Sequence, residues 1–307
     1  MTAIIFSDYR LICGFMDHCR TDINLLKCGS VRPGEKDAHS QGEVVACLEK
    51  GLVKVAEDNE HHVKVSEPCM KAILRVAELS SDDFHLDRHL YFACRDDREH
   101  FCETTQAGEG RVYKCLFNHK FEDAMSEKCR DALTTRQKLI AQDYKVSYSL
   151  AKSCKSDLKK YRCNVENLPR TREARLSYLL MCLESAVHRG RQVSSECQGE
   201  MLDYRRMLME DFSLSPEIIL GCRTEIEHHC SGLHRKGRTL HCLMKVVRGE
   251  KGSLGDSCQH SVSLWRGSLP ISVFPHSFLT VYVWCLLCFS ILNIFFVASV
   301  HHMSTKQ

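Results

Sequence analysis

The 307-residue chain has no surplus of charge of either sign: 42 Lys and Arg stand against 39 Asp and Glu, a net charge of +3. That balance excludes the domain-wide basic footprint that grips nucleic acid, so no nucleic-acid partner is expected. Catalytic signatures are missing as well. There is no Gly-x-Ser-x-Gly turn, no glycine-rich phosphate loop and no His-Glu-x-x-His pair, so no catalytic residue, no cofactor and no enzyme activity are expected. Asn-x-Ser/Thr sequons are absent: Asn24, Asn59, Asn118, Asn164, Asn167 and Asn293 all lack the hydroxyl residue two positions on, so N-linked glycans are not expected. Met1 to Leu11 offers no basic stretch followed by an apolar core, hence no visible secretory signal, and a chain that begins inside a longer array is the expectation. With 44% hydrophobic and 26% charged residues, wholesale disorder is excluded.

What the chain has in excess is cysteine, 19 residues of it. Reducing cytosol would leave so many thiols as a liability, whereas an oxidising lumen turns them into bridges, so a luminal or extracellular setting is expected. Sixteen fall into four sets: Cys19, Cys28, Cys47, Cys69; Cys94, Cys102, Cys115, Cys129; Cys154, Cys163, Cys182, Cys197; and Cys222, Cys230, Cys242, Cys258. Within a set the first two are separated by 7 or 8 residues, while the later gaps vary, as loops do. Between sets the gap is always 24 residues, and a gap that tolerates no insertion is packed structure.

That gap has internal columns. Eleven residues before each leading cysteine stands an acid and an aromatic: Asp8-Tyr9, Asp83-Phe84, Asp143-Tyr144, Asp211-Phe212. Next come Asp87, Ser147 or Ser215, N-cap residues whose side-chain oxygen accepts an orphan helix N–H, with Pro216 suited to a first helical position. Four residues before each leading cysteine, Phe15, Leu90, Leu150 or Ile218 shares its helix face. The stretches from Cys129 to Ala141 and from Cys197 to Met209 contain no internal proline and read as helices, so each gap is a helical hairpin. The fold class is all-α: helical-hairpin repeats stapled by disulfides into an extended array.

Two cysteines eight or nine positions apart on one helix lie roughly 12 to 13.5 Å apart, beyond the ~7 Å Cα limit of a disulfide, so the first two of a set do not pair with each other. Connectivity is otherwise open from sequence; the expectation taken is first to fourth and second to third, namely Cys19–Cys69, Cys28–Cys47, Cys94–Cys129, Cys102–Cys115, Cys154–Cys197, Cys163–Cys182, Cys222–Cys258 and Cys230–Cys242. Cys13, Cys285 and Cys288 fall outside the register as extra or free thiols.

The register divides the chain into a first repeat over 1–82, a second over 83–142, a third over 143–210 and a truncated fourth over 211–258. It then fails, because the next leading position is Val283. A non-repeat linker (259–277) leads to an uncharged run over 278–300 and a tail (301–307). At ~1.5 Å per residue the run is long enough for a bilayer core of ~30 Å, so it reads as a candidate transmembrane segment or as a tail foreign to the array.

Segments such as HCRTDINLLKC, ACRDDREHFC, SCKSDLKKYRC and GCRTEIEHHC, followed by CLEKGL, CLFNHK, CLESAV and CLMKVV, resemble the repeats of the Golgi cysteine-rich fibroblast growth factor receptor family, also known as E-selectin ligands. The likeness runs from about Ile4 to Cys258. It implies a long luminal array, a single C-terminal span in the Golgi membrane and a glycoprotein family. It further implies binding of fibroblast growth factors and other secreted growth factors, selectin recognition through glycans, and effects on growth-factor maturation or secretion. Absent sequons weigh against the selectin role and leave protein–protein binding as the better expectation.

The remaining candidates are weaker. His228, His229, Cys230, His234, His241 and Cys242 are metal-like in type, but the cysteines occupy bridge columns, so no metal site is expected. His61-His62 reads as a solvated loop. From Lys152 to Arg191 ten Lys or Arg face four Asp or Glu, and 233–238 reads LHRKGR; both suit sulfated glycosaminoglycan held beside a growth factor. The acid three residues after each leading cysteine, Asp22, Asp97, Asp157 or Glu225, repeats as scaffold does.

Overall fold

The computed structural model of the chain describes residues 6, 8–29, 42–54, 64–163, 175–215, 218, 221–231, 237–247, 254–259 and 262. All regular structure among them is helical, as the hydrophobic periodicity predicts. The 278–300 run, Cys285, Cys288, His61, His62, His234 and Pro216 lie outside the described residues. Among the described residues no helix is long and apolar enough to cross a membrane.

Each cysteine set is built from three helices. The first comprises α1 (Phe15–Leu25), α2 (Glu43–Lys54) and α3 (Glu67–Leu79). The second comprises α4 (Arg88–Cys102), α5 (Arg111–His119) and α6 (Glu127–Gln142). The third comprises α7 (Tyr148–Lys160), α8 (Arg175–His188) and α9 (Ser195–Glu210). The fourth contains α10 (Arg223–His229) and α11 (Arg238–Val247), with residues 256–259 again helical around Cys258.

The Asp-aromatic columns mark a one-turn 3-10 helix at the head of each set: Tyr9–Leu11, Phe84–Leu86, Tyr144–Val146 and Phe212–Leu214. In every case the aspartate accepts from the backbone N–H two residues on, at 3.0 Å from Arg10, His85, Lys145 and Ser213. A short carboxylate is needed because the bond closes over two residues. Asp87 and Ser147 then cap α4 and α7 by accepting from Leu90 and Leu150. Ser215 instead uses its carbonyl, which accepts from Ile218.

The first helix of a set packs on the third: α1 on α3, α4 on α6, α7 on α9. Between them lies the first-to-fourth bridge, with Cα–Cα distances of 4.6 Å for Cys19–Cys69 and Cys94–Cys129, 4.7 Å for Cys154–Cys197 and 4.4 Å for Cys222–Cys258. The second-to-third bridges, Cys28–Cys47, Cys102–Cys115, Cys163–Cys182 and Cys230–Cys242, tie the end of the first helix to the second. The two leading cysteines share one helix only in α4; in the first and third sets the second cysteine sits just past the helix end. There Lys27 and Arg162 take positive φ (54°), and the N–H of Cys28 and Cys163 closes back to the carbonyls of Ile23 and Leu158. This left-handed helix stop turns the second cysteine toward its partner.

The first and second sets each have a small core around their sulfurs. In the first, Tyr9, Phe15, Ile23, Val44, Leu48 and Ile73 pack on Cys19, Cys28 and Cys69; in the second, Phe84, Leu90, Val112, Leu116 and Leu133 pack on Cys94, Cys102 and Cys129. Cores this small leave bridges a large share of the stability.

Candidate functional site

Beside each first-to-fourth bridge lies a second clasp. The Asp22 carboxylate accepts from both the N–H and the hydroxyl of Ser66, each at 2.7 Å. Asp97 accepts likewise from Ser126 at 2.8 and 2.6 Å, and Asp157 from Ser194 at 3.3 and 2.6 Å. Ser66 and Ser126 are themselves N-caps, accepting from Cys69 and Cys129. Acid and serine stand three residues after the first cysteine and three before the fourth, so a disulfide and a charge-assisted pair fix two helices running in opposite directions. The fourth set replaces both partners together: Glu225 accepts from the Gly255 N–H at 2.9 Å, its extra methylene spanning the distance that the missing side chain leaves. The repeated acid is therefore scaffold. Ser126→Ala should lower stability by about 1–3 kcal/mol by removing a cap and leaving Asp97 under-bonded, as a urea melt would read.

Different sets are joined by two buried cations that do not repeat, Arg136 among the first three sets and Lys120 between the second and the fourth. The Arg136 guanidinium on α6 donates to the carbonyls of Ala77 (2.7 Å) and Val146 (3.2 Å), to the Ser80 hydroxyl (3.2 Å) and to Asp87 (3.3 Å). It thereby satisfies the end of α3, the cap of α4 and the turn after α6 at once. Tyr113 on α5 donates its hydroxyl to the Ser80 carbonyl, and its ring faces Arg136 at 5.0 Å. The second cation, Lys120, follows α5; its ammonium donates to Gln137 and to Asp211, both at 2.6 Å. Asp211 is the same aspartate that heads the fourth set, so one carboxylate caps a turn and holds a buried lysine.

Glu49 on α2 faces this junction. Burial, then the nearby Asp87 carboxylate, push its acid up to about 8, against the pull of Arg136 and Lys50. A carboxyl whose folded value is raised favours the fold when protonated, so its contribution is full below the unfolded value of about 4.3 and is lost as pH rises toward 8. Wild-type chain should be less stable at pH 8.5 than at pH 6, and Glu49→Gln should flatten that difference in paired thermal melts.

The sequence-predicted residues sort cleanly by position. Cys13 is exposed and unbridged. Cys230 and Cys242 are joined to each other, and among the described residues no group of His, Cys, Asp or Glu is placed to hold a metal ion. The basic stretch converges: Lys155, Lys159, Lys160 and Arg162 at the end of α7, and Arg189 and Arg191 beyond α8, are all exposed. Tyr161 lies between Lys160 (5.1 Å) and Arg191 (5.9 Å), and with Lys160 it donates to the Gln192 carbonyl, tying the two helix ends together. Cations at two helix C-termini also suit the negative ends of those dipoles. The result is a basic face on the third set.

The repeating sulfur, turn and clasp columns make an unusually specific pattern, and a family model described as "Cysteine rich repeat" (the cysteine-rich fibroblast growth factor receptor repeat) matches residues 1–56, 67–124, 127–191 and 195–251. The chain belongs to this family. Three of the matches begin where α3, α6 and α9 begin, so the family unit is offset from the disulfide-closed set, and the Cys19–Cys69, Cys94–Cys129 and Cys154–Cys197 bridges run between neighbouring family units. The chain is similar to Golgi apparatus protein 1 of Gallus gallus, 90% identical over 262 residues that make up 85% of this chain and 23% of that protein. Its counterpart in Homo sapiens is 88% identical over 262 residues, 85% of this chain and 22% of that protein. The Golgi apparatus protein 1 homolog of Caenorhabditis elegans is 36% identical over 275 residues, 84% of this chain and 24% of that protein. The chain thus spans less than a quarter of the length of these relatives. No solved structure matches it.

Proposed function

We propose that the chain is a non-catalytic module of a Golgi membrane protein whose repeats face the lumen, and that it binds fibroblast growth factors and influences their passage through the secretory pathway. Membership of the family over four successive units carries the reading, and the relatives' printed name supplies the compartment. Eight bridges support a luminal orientation, since they persist in an oxidising compartment. The units of recognition are the disulfide-closed sets over 1–82, 83–142, 143–210 and 211–258, and the 278–300 run is the membrane anchor. The basic face of the third set fits a sulfated glycosaminoglycan held together with the growth factor, an electrostatic contact that weakens with salt. E-selectin recognition through N-glycans finds no attachment site here, because no sequon is present.

The test is a pull-down of fibroblast growth factor, with and without heparin, by the refolded full chain at physiological salt. Capture above control is expected, with the heparin-dependent part reduced in a Lys155→Glu, Lys159→Glu, Arg189→Glu variant. No capture in either condition would remove the growth-factor reading and leave a structural spacer.

A further inference from the structure

Helix α2 belongs to the first set but lies against the second. It follows Gly42, where an added Cβ would stand 3.1 Å from both the Arg88 Cβ and the His89 backbone nitrogen at the start of α4, and it packs on α6. Two carboxyl groups of α2 face this seam. At its start, the Glu43 carboxylate lies 3.5 Å from His89 Nδ1, an ion pair only while the imidazole carries its second proton. Six residues on, Glu49 lines a cavity of about 20 Å³ together with Ser80, Asp87, Arg88 and His89.

The cations around Glu49 are already committed. The Arg136 guanidinium on α6 is shared among Asp87, the Ser80 hydroxyl and the carbonyls of Ala77 and Val146. Arg88 donates to the His85 carbonyl at 3.1 Å and faces the Tyr91 and Phe92 rings at 5.0 and 4.8 Å. Lys50, next along α2, is exposed. Asp87 brings a second carboxylate to the same cavity, while Asp83 is engaged with His85 at 2.8 Å. Tyr113 on α5 brings no charge, because burial keeps its phenol protonated far above the ordinary range. Helix α3 and its cap contribute Val76 and Ser80, and α1 sets Leu26 against Gly51, none of them charged. An ionised Glu49 therefore meets Asp87 across the seam without a cation of its own.

The seam between the second and third sets is built from other chemistry. Lys114 on α5 pairs with Glu200 (2.7 Å) and Asp203 (2.9 Å) on α9, and Lys152 on α7 pairs with Glu109 (2.7 Å). Lysine–carboxylate pairs keep both charges between about pH 6 and 9.

We propose that the seam between the first and second sets is a proton-operated joint: α2 stays seated on α4 and α6 while Glu49 is neutral and His89 charged, and lifts from them as those protons are lost. The seam between the second and third sets stays closed over the same range. Lifting carries Glu49 into water and frees the first set to reorient against the rest of the array. Burial and then Asp87 hold the Glu49 acid at about 8, against the pull of Arg136 and Lys50. Its unfolded value is about 4.3, so opening of α2 should rise roughly tenfold per pH unit from there to 8 and level off beyond.

Hydrogen exchange of the full chain at pH 6, 7, 8 and 9, corrected for the intrinsic amide rate and read by mass spectrometry, tests the joint. Protection over 43–54 should fall roughly tenfold or more from pH 6 to pH 8 and little further by pH 9, while that over 111–119 changes by less than about threefold. Glu49→Gln should abolish the fall. Glu43→Gln, at the exposed start of α2, should lower protection at pH 6 and leave it unchanged at pH 8. Parallel loss over both helices would overturn the proposal, as would a Glu49→Gln chain that keeps the wild-type slope. Should that chain not fold, a Glu43→Gln chain whose loss is the same at every pH would overturn it equally.

Discussion

Replacing Lys120 with methionine is expected to destabilise the chain by about 3–5 kcal/mol, the usual cost of removing one partner from a buried ion pair. The Lys120 side chain is 2% exposed and that of Asp211 13%, with 2.6 Å between ammonium and carboxylate. Methionine fills nearly the same volume, so the loss is electrostatic: Asp211 and the Gln137 oxygen would both remain buried without their donor. The pH dependence carries a distinct signature. In the native chain burial favours neutral Asp211, but the Lys120 ammonium and the two Ser213 donors outweigh it and hold the carboxyl below its ordinary value. That contribution is present above the unfolded value of about 3.9 and is lost as pH falls through the folded one. Without Lys120 only the two Ser213 donors oppose burial, so the carboxyl rises from its native position and the variant should lose less stability than the native chain as pH falls from 7 to 5. Urea melts of both chains at the two pH values read the size and the sign.

The double replacement Cys94→Ala, Cys129→Ala should cost about 4 kcal/mol, and Cys102→Ala, Cys115→Ala about 3, from the loop-closure entropy that each bridge removes from the unfolded chain. The difference follows from sequence separations of 35 and 13 residues. The longer bridge should matter further because Asp97 and Ser126 are aligned by it: with α4 and α6 free to shift, their two hydrogen bonds weaken together. A thermal melt of each variant, with the Asp97→Asn change added in turn, separates the terms; near-additive losses are expected for the short bridge and less-than-additive losses for the long one.

Much of this architecture is visible in residue columns because the columns repeat. The invariant 24-residue gap predicts a helix, a turn and a helix, and α3–α4, α6–α7 and α9–turn follow it, with Asp87 and Ser147 as the caps that their side chains suggest. The role of Asp8, Asp83, Asp143 and Asp211 is local, a bond over two residues, and needs only its neighbour to be read. The clasp serines are harder to find. Ser66, Ser126 and Ser194 sit 44, 29 and 37 residues from their acids, across segments whose lengths vary between sets. Their signal is a serine three residues before each fourth cysteine, present in three sets and replaced by glycine where the acid becomes glutamate. Lys120 and Arg136 give no repeating signal at all. Val76 and Tyr204 occupy the Arg136 column, so nothing in the sequence marks that arginine as a buried junction between sets rather than one more solvated charge. The basic cluster of the third set is legible as composition, but its convergence is not, because the ends of α7 and α8 are brought together by the Cys163–Cys182 bridge and by Tyr161 and Lys160, which sequence spacing does not show.

Everything rests on sulfur placement, and non-reducing proteolysis with mass spectrometry of the folded, full chain addresses it directly. Eight linked pairs are predicted, Cys19–Cys69, Cys94–Cys129, Cys154–Cys197 and Cys222–Cys258 across the outer helices, and Cys28–Cys47, Cys102–Cys115, Cys163–Cys182 and Cys230–Cys242 within, with Cys13 recovered as a free thiol. Recovery of these sixteen as alkylated thiols, or of linked peptides that join different sets, would contradict the account.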